Sequence, residues 1–123
     1  MAMTMGMRLP DKPRAVAEAR RALDGFPAPL RPDQQDDLRL LVTELVTNAM
    51  KHAGGWIELR LIAEPDVVRV EVTDAGEGFD PNDRPDPDVE STQGRGLLLV
   101  EQLASRWGVQ RGPENKVWFE LQL

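Results

Sequence analysis

Leu38-Arg-Leu-Leu-Val42-Thr-Glu44-Leu-Val-Thr-Asn48-Ala-Met-Lys51-His-Ala53 is closed by Gly54-Gly55 and leads into Ile57-Glu-Leu-Arg-Leu61, Glu64-Pro-Asp66 and Val68-Arg-Val-Glu-Val-Thr73. In the first run, Leu38, Leu41, Val42, Leu45, Val46 and Ala49 fall on one arc about 140° wide of an ideal helical wheel, which predicts an amphipathic helix. Asp33 is a suitable N-cap, with Asp36 and Asp37 near the positive end of the dipole, and the helix is expected to run to about Ala53. The next two runs change period from 3.6 to 2. Ile57/Leu59/Leu61 alternate with Glu58/Arg60, and Val68/Val70/Val72 with Arg69/Glu71/Thr73, while 64–66 is short enough for a hairpin. One polar face per strand implies helices on one side of the sheet only.

Outward from this centre the signals agree. Met5/Met7/Leu9 alternate with Gly6/Arg8 as a short edge strand ended by Pro10. Pro13 suits a first helical turn, Ala15, Val16, Ala19, Ala22 and Leu23 keep helical spacing, and Asp24-Gly25 ends that helix. Beyond the hairpin, a helix is expected from Leu97 to about Arg106, and strands over Gly108 to Arg111 and Val117 to Leu123. Residues 80–93 carry Pro81, Pro85 and Pro87 among acidic residues, with Val89 the sole large apolar side chain. Such a loop buries little and suits a lid over a site, or equally a solvated surface excursion. The expected fold is a single α+β domain over 1–123, a two-layer sandwich of helices on a mostly antiparallel sheet.

Composition narrows the function. The chain has 123 residues, 41% hydrophobic and 29% charged, with a net charge of −6. At this size roughly two-thirds of the unfolded surface is buried on folding, enough for one core. The acidic balance argues against direct nucleic-acid binding, which needs a basic stripe. With no cysteine and one histidine, thiolate chemistry and multi-histidine zinc sites are excluded. Met1 to Met7 lacks the apolar core of a signal peptide, and the aliphatic run Leu97–Val100 is far below the ~20 residues of a spanning helix. A cytoplasmic protein without membrane attachment is expected.

Three segments carry chemistry. Glu44, Asn48 and His52 stand at i, i+4 and i+8, on the shoulder of the apolar arc, with Lys51 one turn beyond Asn48. Polar groups there are partly desolvated and call for partners. A carboxamide oxygen is a hard ligand suited to Mg²⁺, and a carboxylate one turn away can act as a general base. Taken alone, they fit the polar edge of an ordinary amphipathic helix equally well. Asp74-Ala-Gly76-Glu-Gly78-Phe79 follows directly on a strand, where an acceptor-only carboxylate could receive the exocyclic amine of a base and glycines allow close backbone approach. A tight turn would use the same residues. Gly94-Arg95-Gly96 opens a helix at Leu97, whose free N–H groups suit a phosphate. The spacing is neither a Walker A motif nor a Rossmann fingerprint.

In this order, Glu44 to Ala53, Asp74 to Phe79 and Gly94 to Val100 resemble the N box and the two glycine boxes of the GHKL ATPases, which share the Bergerat nucleotide-binding fold. Within that superfamily Glu44-Leu-Val-Thr-Asn48-Ala and Val117-Trp-Phe-Glu-Leu121 are most similar to the stand-alone anti-sigma factor serine/threonine kinases. The resemblance implies that ATP and Mg²⁺ are bound, with Asn48 on the metal and Asp74 on the adenine amine. It implies that Gly76 and Gly78 shape the adenine-side turn. Gly94, Arg95, Gly96 and Leu97 would meet the phosphates beneath the lid, with Lys51 as a phosphate contact. Glu44 would be the base that activates a substrate hydroxyl.

The activity implied is phosphorylation of Ser or Thr on an anti-anti-sigma partner, with sequestration of a sigma factor and homodimerisation. One departure stands before the last strand. Where the family often has a glycine closely followed by an adenine-supporting threonine, this chain reads Gly112-Pro-Glu-Asn-Lys116, with Lys116 in the threonine's place. That motivates one alternative, a nucleotide-binding regulatory module without phosphotransfer. Lys51 motivates another, an ATP-binding domain working with a separate histidine kinase partner.

Overall fold

The switch from helical to strand period at Ile57 is reproduced in the computed structural model, which describes residues 2–52, 55–75 and 98–123. The elements are β1 (Met3–Leu9), α1 (Arg14–Asp24), α2 (Pro32–His52), β2 (Ile57–Ala63), β3 (Val67–Asp74), β4 (Arg106–Gln110) and β5 (Asn115–Gln122), and residues 98–103 are helical. The strands form one antiparallel sheet in the order β1-β2-β3-β5-β4. Glu64 N–H donates to the Val67 carbonyl (2.9 Å) and closes the β2–β3 hairpin. Among the described residues no helix is long and apolar enough to cross a membrane.

Alternation sorts each strand's residues into two environments. Leu59, Leu61, Val68, Val70, Val72, Phe119 and Leu121 turn inward and are buried with Leu38, Leu41, Val42, Leu45, Val46 and Ala49 of α2. All six apolar residues expected on the α2 arc lie in this core. Helix α1 adds Ala15 and Ala19, both at 0% exposure, small enough for α1 to lie close on its neighbours.

The opposite face carries charge and two stacked tryptophans. Glu71 accepts from Arg69 (2.9 Å) and lies within ion-pair distance of Arg60 (3.6 Å) and Lys116 (3.8 Å), while Glu120 pairs with Arg69 (3.1 Å) and Arg106 (3.7 Å). Arg69 also covers the Trp118 ring at 4.0 Å, and Arg8 covers Trp56 at 4.8 Å. The expected α+β sandwich, with helices on one face of an antiparallel sheet, is the architecture observed.

Several boundaries differ from expectation. Helix α2 starts at Pro32: the Arg31 carbonyl accepts from Gln35 N–H (2.9 Å), so Arg31 is the N-cap and Pro32 occupies the first position, where its missing N–H is harmless. Asp33 lies inside the first turn instead of capping it. The cap's own N–H is satisfied by Gln34 Oε1 (3.1 Å), half of a capping box. Asp33 makes a forked pair with Arg31 (3.2 and 3.4 Å), and that hydrogen bonding holds its carboxyl below the usual carboxylate range. At the other end of the chain the helix stops at 103, so Arg106 belongs to β4 and not to the helix. Strand β1 begins at Met3, and β5 begins two residues before Val117, at Asn115.

Candidate functional site

Two tethers gather the candidate residues at one end of the sheet. Gln34 Nε2 donates to the Gln122 carbonyl (2.8 Å), fixing the start of α2 to the end of β5. A 21-residue helix rises about 31 Å, so its other end, with Asn48 and Lys51, reaches the end of the sheet where β5 begins and β3 finishes. The chain then needs only 53–56 to enter β2, whose first residue, Ile57, lies opposite Asp74. A methyl group placed on Gly55 would lie 3.7 Å from the Ala75 Cβ, so this connection runs past the residue that follows Asp74.

On α2, Glu44 and Asn48 are half-buried on the edge of the core-facing arc and Lys51 is exposed. The intervening threonines are committed elsewhere. Thr47 Oγ1 donates to the Thr43 carbonyl (2.6 Å), and Thr43 Oγ1 donates to the Arg39 carbonyl (2.7 Å) while accepting from Arg20 Nε (3.1 Å). Their hydroxyls therefore satisfy helix carbonyls one turn back, which leaves Glu44 and Asn48 as the polar groups of this stretch available for chemistry. The His52 side chain is outside the described residues.

Asp74 ends β3 in phase with Val68, Val70 and Val72, so it points to the helix-covered side. Its cross-strand partner is Asn115, whose Nδ2 donates to Asp74 Oδ1 at 3.3 Å. Asn115 is absent from the expected site. The signal lay in the alternation, because Asn115 is in phase with Val117, Phe119 and Leu121, all of which face inward.

The same phase displaces Lys116. It pairs with Thr73 and reaches across the outer face toward Glu71, on the side of the sheet opposite Asp74. Lys116 therefore lies on the face away from Asp74, and Asn115 occupies the inward position opposite it.

The residues present fit a nucleotide with its magnesium ion. Among the described residues no three His, Asp or Glu side chains gather to hold a metal. Mg²⁺ bound with a nucleotide takes most of its ligands from phosphates and water, so one amide oxygen such as that of Asn48 suits it. Beside Asp74, the Oδ1 of Asn115 is buried and accepts no hydrogen bond among the described residues. Gly76, Gly78, Gly94, Arg95, Gly96, Leu97 and the expected lid at 80–93 lie outside the described residues, as do Ala53 and Gly54.

Comparison with known proteins agrees with this arrangement. The model of the histidine kinase-like ATPase domain family matches residues 9–121. The serine-protein kinase RsbW of Bacillus licheniformis is 31% identical over 121 residues, covering 85% of this chain and 76% of that protein. The serine-protein kinase RsbW of Listeria monocytogenes serotype 4a (strain HCC23) is 31% identical over 114 residues, covering 79% and 73%. The corresponding kinase of Staphylococcus epidermidis is 33% identical over 115 residues, covering 79% and 72%. With the sheet order, the inward Asp74 and a family match spanning nearly the whole sequence, the chain belongs to the histidine kinase-like ATPase domain family.

Proposed function

We propose that this protein binds Mg²⁺-ATP and transfers the terminal phosphoryl group to a Ser or Thr of an anti-anti-sigma partner, sequestering a sigma factor in the alternate state. The observation that carries the reading is the convergence of the Asn48 end of α2 with Asp74 and Asn115 at one end of the sheet. Asn48 would ligate the metal and Asp74 would accept from the base amine. Lys51 and the N–H groups beginning at Gly94, Arg95, Gly96 and Leu97 would meet the phosphates, with Gly76 and Gly78 allowing the backbone close to the base. Bound Mg²⁺ would neutralise charge developing on the phosphates, and Glu44 would take the proton from the attacking hydroxyl. Phosphoryl transfer relies chiefly on positioning and charge neutralisation, which is the work this set of residues can do.

The names of the relatives, serine-protein kinases, support transfer to a hydroxyl over transfer to histidine. The reading of a nucleotide module without transfer was motivated by Lys116, which pairs toward Glu71 on the outer face, while the inward position opposite Asp74 carries Asn115 in place of a threonine. The test is phosphotransfer from γ-labelled ATP to a purified anti-anti-sigma partner. Glu44→Gln is expected to lower transfer by at least ~100-fold while nucleotide binding stays within about twofold, the scale of a general-base contribution. Equal transfer by wild type and variant would refute the role of Glu44. Nucleotide binding with no transfer to any such partner would favour the regulatory module. Sedimentation at several concentrations checks the homodimer.

A further inference from the structure

We infer that the outer face of the sheet is a docking surface for an acidic protein segment, met by Arg60, Arg106 and Lys116 around the stacked pair of Arg69 and Trp118. These side chains lie on the side of the sheet away from Asp74 and α2, and the inference does not depend on the nucleotide reading.

Strand alternation assembles the surface. In one row across the sheet Arg60, Glu71, Trp118 and Gly108 are successive partners, and in the next Ile62, Arg69, Glu120 and Arg106. Lys116 stands in the neighbouring row, between Thr73 and Gln110. Four cations thus share two carboxylates, and Arg8 and Glu58, which face each other, leave that surplus unchanged. The two signs also lie at different depths. Side-chain exposure is 75% for Arg106, 45% for Arg60 and 31% for Lys116, against 15% for Glu120 and 8% for Glu71. The carboxylates form the floor and the cations the outer layer. What a partner meets is positive, although the chain as a whole carries −6.

Arg69 is spent on the floor, donating to Glu71 at 2.9 Å and to Glu120 at 3.1 Å. The other three cations are not. Arg60 and Lys116 stand 3.6 and 3.8 Å from Glu71 Oε1, and Arg106 stands 3.7 Å from Glu120 Oε1, all beyond hydrogen-bond reach. Their donors remain available for carboxylates that a partner brings, and a guanidinium fork matches a carboxylate closely. Trp118 supplies a rigid centre. It lies over Gly108, where a Cβ would come within 2.6 Å of the indole nitrogen, and Arg69 covers it at 4.0 Å. Trp and Arg are the residue types that carry most of the energy at protein interfaces.

Charge selects the occupant. A second copy of the chain would press two faces with the same positive surplus together. A nucleic acid or an anionic membrane would meet repulsion from the rest of the chain, which is more acidic than its total. A short acidic segment needs only the local surplus.

The test titrates the isotope-labelled full chain with an oligoglutamate peptide, its glutamine counterpart, a single-stranded oligothymidylate and phosphatidylglycerol vesicles. Oligoglutamate is expected to shift the Trp118 indole N–H and the Arg60 guanidinium resonances, and to bind less well as salt is added, while the glutamine peptide does neither. The triple variant Arg60→Gln, Arg106→Gln, Lys116→Gln should weaken binding by at least ~10-fold, with a thermal melt of each protein as the control. Arg106→Gln alone, at the most exposed cation, should weaken it about threefold and serves if the triple variant does not fold. No oligoglutamate binding, shifts confined to α1 or α2, or undiminished affinity in the folded variants would overturn the inference. So would tighter binding of the oligothymidylate or the vesicles, or a wild-type dimer that the triple variant dissociates, which would make this face a contact between copies.

Discussion

Lys116 Nζ lies 3.8 Å from Glu71 Oε1, on the face of the sheet away from Asp74, although Lys116 directly follows Asn115, the residue at the Asp74 rung. Successive residues of a strand point to opposite faces, so a one-residue step decides between an ion pair in the outer network and a place at the site. Lys116→Thr is therefore expected to leave the Mg²⁺-ATP dissociation constant within about twofold. Its cost in stability should stay within ~1 kcal/mol, since the lysine is partly exposed and the pair screened. Calorimetry and urea denaturation of the same preparation check both values.

Glu71 is only 7% exposed and meets Arg60, Arg69 and Lys116 at 2.9 to 3.8 Å. Removing its charge leaves three cations facing one another on a surface where water is partly excluded. Glu71→Leu should lower stability by about 2–3 kcal/mol, less than for a fully buried pair because Arg60 and Arg69 keep some solvent contact. The measurement is the urea midpoint at constant slope; an unchanged midpoint would mean that the outer network contributes nothing.

Gly108 faces Trp118 across the β4–β5 ladder, and a Cβ at this position would come within 2.6 Å of the indole nitrogen. The ring is also held from the other side by Arg69 at 4.0 Å, so it cannot move away freely. Gly108→Ala should cost about 1–3 kcal/mol through this overlap. In the Trp118→Ala background the same substitution should cost much less, because the obstacle is gone.

A ligand at ~100 times its dissociation constant adds about 2.7 kcal/mol to stability. For a domain of this length that raises the melting temperature by about 10 °C. Mg²⁺-ATP should produce this shift in the wild type, and Asp74→Asn should lose most of it, because an amide turned toward Asn115 loses the carboxylate's acceptor for the base amine. A full shift in the variant would remove Asp74 from base recognition.

Hydrogen bonding to Arg31 holds the Asp33 carboxyl below its usual range in the folded protein. A depressed carboxylate stabilises the fold above its unfolded pKa and loses that contribution as pH falls through the folded value. Asp33→Asn should accordingly make the decline of stability below about pH 4 shallower, with the variant and wild type converging at the acid end. Denaturant midpoints measured every half pH unit would show it, and parallel curves would refute it.

The order helix, helix, hairpin and final strand was legible in the sequence because periodicity is local. Leu38 to Ala49 could bury one face only as a helix, and Ile57 to Thr73 only as paired strands. Polar Glu44, Asn48 and Asp74, each beside an apolar run, marked the candidate site for the same reason. Asp33 misled as a cap because the competing local choice, Pro32 at the first helical position with Gln34 folded back on the Arg31 N–H, satisfies the same end of the helix. Strand ends were misjudged at Asn115 and Arg106, since polar residues there give no contrast from which a boundary can be read. Sequence alone thus determined the elements, the buried faces and which residues could do chemistry. Only the tertiary structure decided that β5 extends to Asn115, that its register sets Asn115 against Asp74, and that Lys116 serves the outer face. Register is fixed by hydrogen bonds between residues more than 40 positions apart in the chain, and no local pattern encodes a pairing at that distance.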